Sequence, residues 1–191
     1  MFERSARKRA PKPLDSARLE ELALAYVARF ATTRSKLEAY LMRKLRERGW
    51  AEDGEPPVAA MVERLSAAGY VDDAAYARTK SGSLLRRGYG GRRVSQALAV
   101  AGISEDLRED IRPGEGAERR AALAMAQKRR FGPFGSAALD LARREKQIAA
   151  MLRAGHRLDN ARNLVDAPSV EAAEDWAAES CEDGCEDDSC E

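Results

Sequence analysis

Cysteine is missing from the first 180 residues of this 191-residue chain, and histidine occurs once, at His156. Without body cysteines the fold cannot rest on a disulfide scaffold. No body thiol is available as a nucleophile, and the one histidine stands at an apolar position after a helix stop, where a packing or surface role is expected rather than acid–base work. Cys181, Cys185 and Cys190 all lie near the C-terminus, and their C-x3-C-x4-C spacing matches no zinc pattern. Free thiols are expected there, with weak metal binding by three thiols and flanking carboxylates as the alternative. Aromatics make up only 6% of the residues, so bases stacked on an aromatic platform are not expected to dominate any nucleic-acid binding. No apolar run approaches the roughly 20 residues of a membrane span, and MFERSARKRAPKP lacks the apolar stretch of a signal peptide. No membrane partner and a cytoplasmic location are expected.

What is abundant is alanine and charge. Hydrophobic residues reach 44%, but alanine favours helix and buries little area, which predicts helices around thin cores. All 33 basic residues and 22 of the 32 acids precede Glu171, a net charge of +11, whereas the last 21 residues hold ten acids and no Lys or Arg. A basic body suits a polyanionic partner; solvated Arg-rich helix faces are the plain alternative. The acidic segment is not expected to fold alone. Tethered to the body, it is expected to compete with phosphate for the basic faces.

The chain to Pro13 is basic and proline-containing, and disorder is expected there. Leu19, Leu22, Ala23, Tyr26, Val27 and Phe30 then follow one face of a helix. In SKLE, Ser35 and Glu38 have capping-box spacing, and Leu37, Tyr40, Leu41 and Leu45 form the next stripe up to the stop at Gly49. Pro56 and Pro57 lead into a third stripe, Val58, Met61, Val62 and Leu65, ended by Gly69. The acid pair in GYVDDAAYA invites a metal-site reading, but no His or third carboxylate lies nearby to complete it. Asp72 is expected as an N-cap and Asp73 as a first-turn acid, with Val71 and Tyr76 placed for a hydrophobic staple.

The stops repeat. LRERGW, LSAAGY, LAVAGI and MLRAGH share apolar-x-x-x-Gly, and Gly49, Gly102 and Gly155 are spaced 53 residues apart. An even period of this length predicts stacked supersecondary units. The expected architecture is all-α: an elongated tandem array of three three-helix repeats. Its expected segments are a disordered basic arm over 1–14, repeats over 15–71, 72–113 and 114–166, and an acidic cysteine-containing tail over 167–191.

Three segments, SKLEAYLMRKLRERGW, LSAAGYVDDAAYA and GYGGRRVSQALAVAGIS, resemble the RecX family, small regulators of the RecA recombinase. KQIAAMLRAGHRLDNARNLV resembles the family's closing helices, with His156 where the family usually has an aromatic residue. The resemblance covers about residues 15–166 and leaves the acidic tail aside. It implies a RecA-filament partner, binding in the groove of the RecA–DNA filament and inhibition of ATP hydrolysis and strand exchange in recombination and DNA repair.

For such binding the candidate contacts are cations. Arg86, Arg87, Arg92 and Arg93 bracket the GYGG turn; Lys128, Arg129 and Arg130 end one helix; Arg143, Arg144 and Lys146 follow. Helix C-termini favour cations in any case, but Arg also pairs bidentately with phosphate or carboxylate. Gly88, Gly90 and Gly91 fit a tight turn between helices, since RGYGGRR lacks the G-x-x-x-x-G-K-[ST] pattern of a phosphate loop. The expected protein is a non-enzymatic, cofactor-free monomer touching the filament and single- or double-stranded DNA without sequence preference. A general electrostatic nucleic-acid binder without filament specificity is the alternative, and a hydrolase built on Asp72 and Asp73 comes last.

Overall fold

A computed structural model describes residues 12–136 and 140–179. Its regular structure among those residues is helical: α1 Ser16–Arg29, α2 Arg34–Arg48, α3 Val58–Ala67, α4 Asp73–Arg86, α5 Gly91–Val100, α6 Glu105–Asp110, α7 Glu115–Arg129, α8 Leu141–Arg153, α9 Leu158–Val165 and α10 Val170–Ala178. Leu14 and Trp50 form an isolated parallel bridge. Successive triplets α1–α3, α4–α6 and α7–α9 are the three repeats, and α10 is additional. The chain divides into two compact units at Tyr76 and Ala77, inside α4. Segments 72–113 and 114–166 therefore fall mostly within one unit.

In the first unit the predicted stripes turn inward, except that Phe30 at the end of the first stays exposed. Leu19, Ala23, Leu37 and Leu41 are fully buried, joined by Leu45, Val58, Met61, Val62, Leu65 and Val71. Leu14 completes this core, although the basic arm was expected to be disordered through residue 14. Its backbone N donates to Gly49 O at 2.9 Å, and its O accepts from Ala51 N at 2.8 Å. A fully buried leucine with both backbone groups paired holds the end of the arm in place.

The start of α2 differs from the expected Ser35/Glu38 box. Thr33, fully buried and extended (φ −110°), is the N-cap, and its hydroxyl accepts from Lys36 N at 3.2 Å. Ser35 sits at the second helical position. A further donor at this end, Arg34 N, is satisfied by Asp73 Oδ1 at 2.9 Å. Asp72 Oδ1 meanwhile accepts from Ala75 N at 2.8 Å at the start of α4. The two acids thus serve two different helix N-termini, and the Lys36 ammonium also bonds the Tyr76 hydroxyl. Asp72→Ala and Asp73→Ala should each lower stability by about 0.5–2 kcal/mol. Asp73 counts about as much as Asp72 because its contact joins two helices. Urea melts showing Asp73→Ala at parent stability would refute the inter-helix cap.

In the second unit a cluster of Ala122, Met125, Ala126, Ile148, Met151, Ala161, Leu164 and Val165 packs α7, α8 and α9 together, and Ala173 of α10 joins it. Val94 and Leu98 of α5 are buried as well, as are Ala101 and Ile103. α10 lies within the segment read as an acidic tail, and its folding has a cap and a docking face as its cause. Ser169 Oγ accepts from Ala172 N at 3.1 Å as the N-cap. Ala173 and Ala177 are buried on one stripe, and the Trp176 ring lies 5.0 Å from the Arg119 guanidinium of α7, which also donates to Trp176 O at 3.0 Å. The helix forms by docking on α7, where Gln127 Nε2 also donates to Glu174 Oε1 at 3.2 Å. The cysteines at 181, 185 and 190 and the acids beyond Glu179 lie outside the described residues, as does the arm before Lys12.

Candidate functional site

The GYGG turn is the place where the second and third repeats meet. Gly90 N donates to Ala154 O at 3.0 Å, and Arg92 N donates to Gly155 O at 3.2 Å. The Arg92 guanidinium donates to Leu152 O at 2.9 Å. Ala154 O and Gly155 O lie just past the C-terminus of α8, Leu152 O also accepts from Gly155 N at 3.0 Å, and the backbone donors are those left over at the N-terminus of α5. The positive end of one helix dipole thus faces the negative end of the other, with an arginine cation added at the negative end. The approach is so close that a Cβ on Gly90 would lie 2.3 Å from Gly155 C, and one on Gly155 would lie 2.5 Å from Arg93 N.

His156 closes the junction. It is 4% exposed, and its Nε2 lies 3.0 Å from Gly88 O. A carbonyl can only accept, so Nε2 carries the proton; in the neutral ring Nδ1 is then an acceptor, with no partner among the described residues. Burial pushes the His156 pKa below its ordinary value of 6.5, opposed by the Gly88 bond. Arg92, Arg108, Arg112, Arg157 and Glu118 line a cavity of about 760 Å³ beside His156. Burial raises the Glu118 carboxyl above its usual range, against the pull of Arg157 and Arg112. Nothing here pairs a nucleophile with a base; the histidine is a strut between backbone turns.

The sign of the resulting pH dependence follows from the lowered pKa. On acidification the unfolded chain takes up the imidazole proton first, so the folded state loses ground as pH falls through about 6.5 toward the folded pKa. Above that window the contribution is fully present. His156→Gln, whose amide can still donate to Gly88 O, should flatten this part of the stability–pH curve. An unchanged slope between pH 7 and pH 5 in thermal melts would refute the buried neutral imidazole.

The ten candidate cations separate into groups. Arg92 is tied to α8 as above. Arg144 is bidentate on Asp166, with both contacts at 2.5 Å, and adds Glu145 at 2.7 Å. The guanidinium holds the Asp166 carboxyl below its usual range. This side chain closes α8 on the residue following α9. Arg86, Arg87, Arg93, Lys128, Arg129, Arg130, Arg143 and Lys146 are exposed. Arg87 lies 5.6 Å over the Tyr89 ring, and Arg93 reaches Gln96 Oε1 at 3.1 Å. Arg130 takes a left-handed conformation (φ 55°) as the C-cap of α7. Arg143 N donates to Asp140 Oδ1 at 2.7 Å.

The junction itself was not anticipated, and the only sequence signal for it was glycine density at 88–91 and 155. Among the described residues no group of three or more His, Cys, Asp or Glu is placed to hold a metal ion, and no helix is long and apolar enough to cross a membrane.

A family model for the second three-helix domain of RecX matches residues 72–110. The regulatory protein RecX of Myxococcus xanthus is 31% identical over 165 residues, covering 82% of this chain and 88% of the relative. That of Thermus thermophilus is 37% identical over 109 residues, covering 57% and 70%. In fold, the crystal structure of RecX from Lactobacillus salivarius superposes with a TM-score of 0.63 at 19% identity, covering 79% of this chain and 96% of that one. Another crystal structure of a regulatory protein RecX gives a TM-score of 0.62 at 20% identity, covering 79% and 71%. With a 31% identical relative matched over nearly its whole length and the helical repeats in common, the chain belongs to the RecX family of regulatory proteins.

Proposed function

We propose that this chain is a non-enzymatic regulator of the RecA recombinase, acting in the cytoplasm as a monomer. It binds the RecA–DNA filament and inhibits ATP hydrolysis and strand exchange. The observation that carries this reading is family membership across most of the chain. The exposed cations of the second unit support it, since a filament offers both carboxylates and phosphates to arginine. A non-enzymatic role agrees with relatives named as regulatory proteins and with a single histidine engaged in the repeat junction.

The same cations favour a second reading, general electrostatic binding of nucleic acid without filament specificity. DNA-dependent ATP hydrolysis by RecA separates the two. A filament regulator should inhibit while RecA greatly outnumbers it and DNA is in excess over both. Rescue of the hydrolysis rate by excess free DNA would replace the first reading with the second.

A further inference from the structure

We propose that the first unit carries a stacking site for an unpaired nucleobase, built on Phe30, Tyr26 and Tyr40 and flanked by Arg29 and Arg43. This goes beyond the filament reading, which rests on family membership and on the second unit's cations.

Aromatic residues are scarce in this chain, yet three of them meet where α1 and α2 cross. The Tyr26 and Tyr40 rings stack at 4.2 Å with an interplanar angle of 17°. Phe30 lies 5.3 Å from Tyr26, tilted by 48°. The Arg29 guanidinium sits 5.8 Å from the Phe30 ring, and Arg43 and Lys44 sit 5.5 and 5.9 Å from the Tyr40 ring. Glu47 takes Lys44 at 2.7 Å and Arg43 at 3.7 Å. One carboxylate against three cations leaves the facet positive.

Packing does not explain Phe30. The core between α1 and α2 is already closed by Leu19, Ala23, Leu37 and Leu41, each fully buried, whereas Phe30 stays 52% exposed. Its backbone is nonetheless fixed: it follows the last turn of α1, and its N–H donates to Tyr26 O at 3.0 Å. A half-exposed ring held in place beside cations offers what single-stranded nucleic acid requires, a π-face for a base and positive charge for the phosphates on either side. Every base has such a face, so the site is indifferent to sequence. It discriminates by strandedness, because a duplex keeps its bases stacked on each other. The site therefore adds a base-dependent contribution that salt does not screen.

The test uses the full-length chain without recombinase and a fluorescent single-stranded oligonucleotide, titrated at low and high salt beside an abasic oligonucleotide of equal length. Phe30→Leu keeps apolar volume and removes the π-face. It should weaken binding about tenfold, within the range for loss of one base stack, with an unchanged log–log salt slope. Phe30→Trp should restore affinity, and the parent should bind the abasic strand about as weakly as Phe30→Leu binds the intact one. Arg29→Gln should lower the salt slope by about 0.7, one single-strand phosphate contact. A folded Phe30→Leu that binds the intact strand like the parent overturns the proposal. If that variant keeps oligonucleotide affinity but loses inhibition of RecA, the facet meets protein and the stacking site is wrong while the regulator reading stands. Absence of RecA inhibition by the parent would sink that reading alone.

Discussion

Gly90→Ala should destabilise the second unit by about 3 kcal/mol or more, the upper end of the range for overpacking. The reason is what the new methyl group would strike. Its nearest neighbours are Gly155 C at 2.3 Å, Gly155 O at 2.4 Å and His156 N at 2.4 Å. All three are backbone atoms, so no side chain can rotate away, and relief requires the two turns to separate. Separation breaks the Gly90–Ala154 and Arg92–Gly155 bonds and the Arg92–Leu152 contact together. Gly155→Ala should be at least as damaging, since its φ of +95° adds backbone strain to a 2.5 Å clash with Arg93 N. Gly114→Ala is the control. A Cβ on Gly114 would meet no heavy atom within 4 Å, and the residue has an ordinary φ of −66° as the N-cap of α7, so the change should cost at most about 1 kcal/mol, the N-cap preference for Gly over Ala. The chain has two tryptophans, Trp50 in the first unit and Trp176 in the second. In a Trp50→Phe background, Trp176 fluorescence reports urea unfolding of the second unit by itself. A Gly90→Ala midpoint equal to that of Gly114→Ala would show that the junction yields without loss, and the backbone dock would have to be abandoned.

What the sequence disclosed and what it concealed divide by range. The stripes of α1, α2 and α3 were legible because a helix face repeats within a few residues, and so were Asp72 as a cap and the glycine stops. TTRS offers a choice of hydroxyls, so the local sequence does not separate Thr33 from Ser35 as the cap. The choice is decided by the core that buries Thr33 and by Asp73, 39 residues from Arg34. The Arg144–Asp166 pair is not visible locally, because the two residues lie 22 apart. The Gly90–Gly155 dock joins turns 65 residues apart, and nothing local distinguishes a glycine that makes a turn from one that admits another backbone. α10 was hidden by its own charge. Acids dominate the count from Glu171 onward, and Ala173, Trp176 and Ala177 form too short a stripe to register until α7 is there to receive it. Removing everything after Val170 would therefore delete a packed helix together with the acidic charge; a test of the charge alone has to cut after Glu179.

The same sorting determines which cations should be changed. Reversing Arg92 would break a helix cap, and reversing Arg144 would break a bidentate pair, so neither variant isolates partner contacts. Arg86, Arg87, Lys128 and Arg129 are exposed at the C-termini of α4 and α7. Changing all four to Glu should weaken single-stranded DNA binding by at least about 100-fold at low salt. If each neutralises one phosphate, the log–log salt slope should fall by about 3, at roughly 0.7 per single-strand contact. Inhibition of RecA ATP hydrolysis should then require correspondingly more regulator. Helix dipoles make negative charge at these ends unfavourable by about 0.3–1 kcal/mol per position, so a modest drop in melting temperature is expected. The four-Gln variant separates the two effects: it removes the contacts without placing new negative charge at the helix ends. Arg144→Ala should do the reverse, melting early while leaving the salt slope alone. Should the four-Glu and four-Gln variants both keep the parent's slope and affinity, these cations serve only to solvate their helix ends, and the partner surface must be sought elsewhere in the repeats.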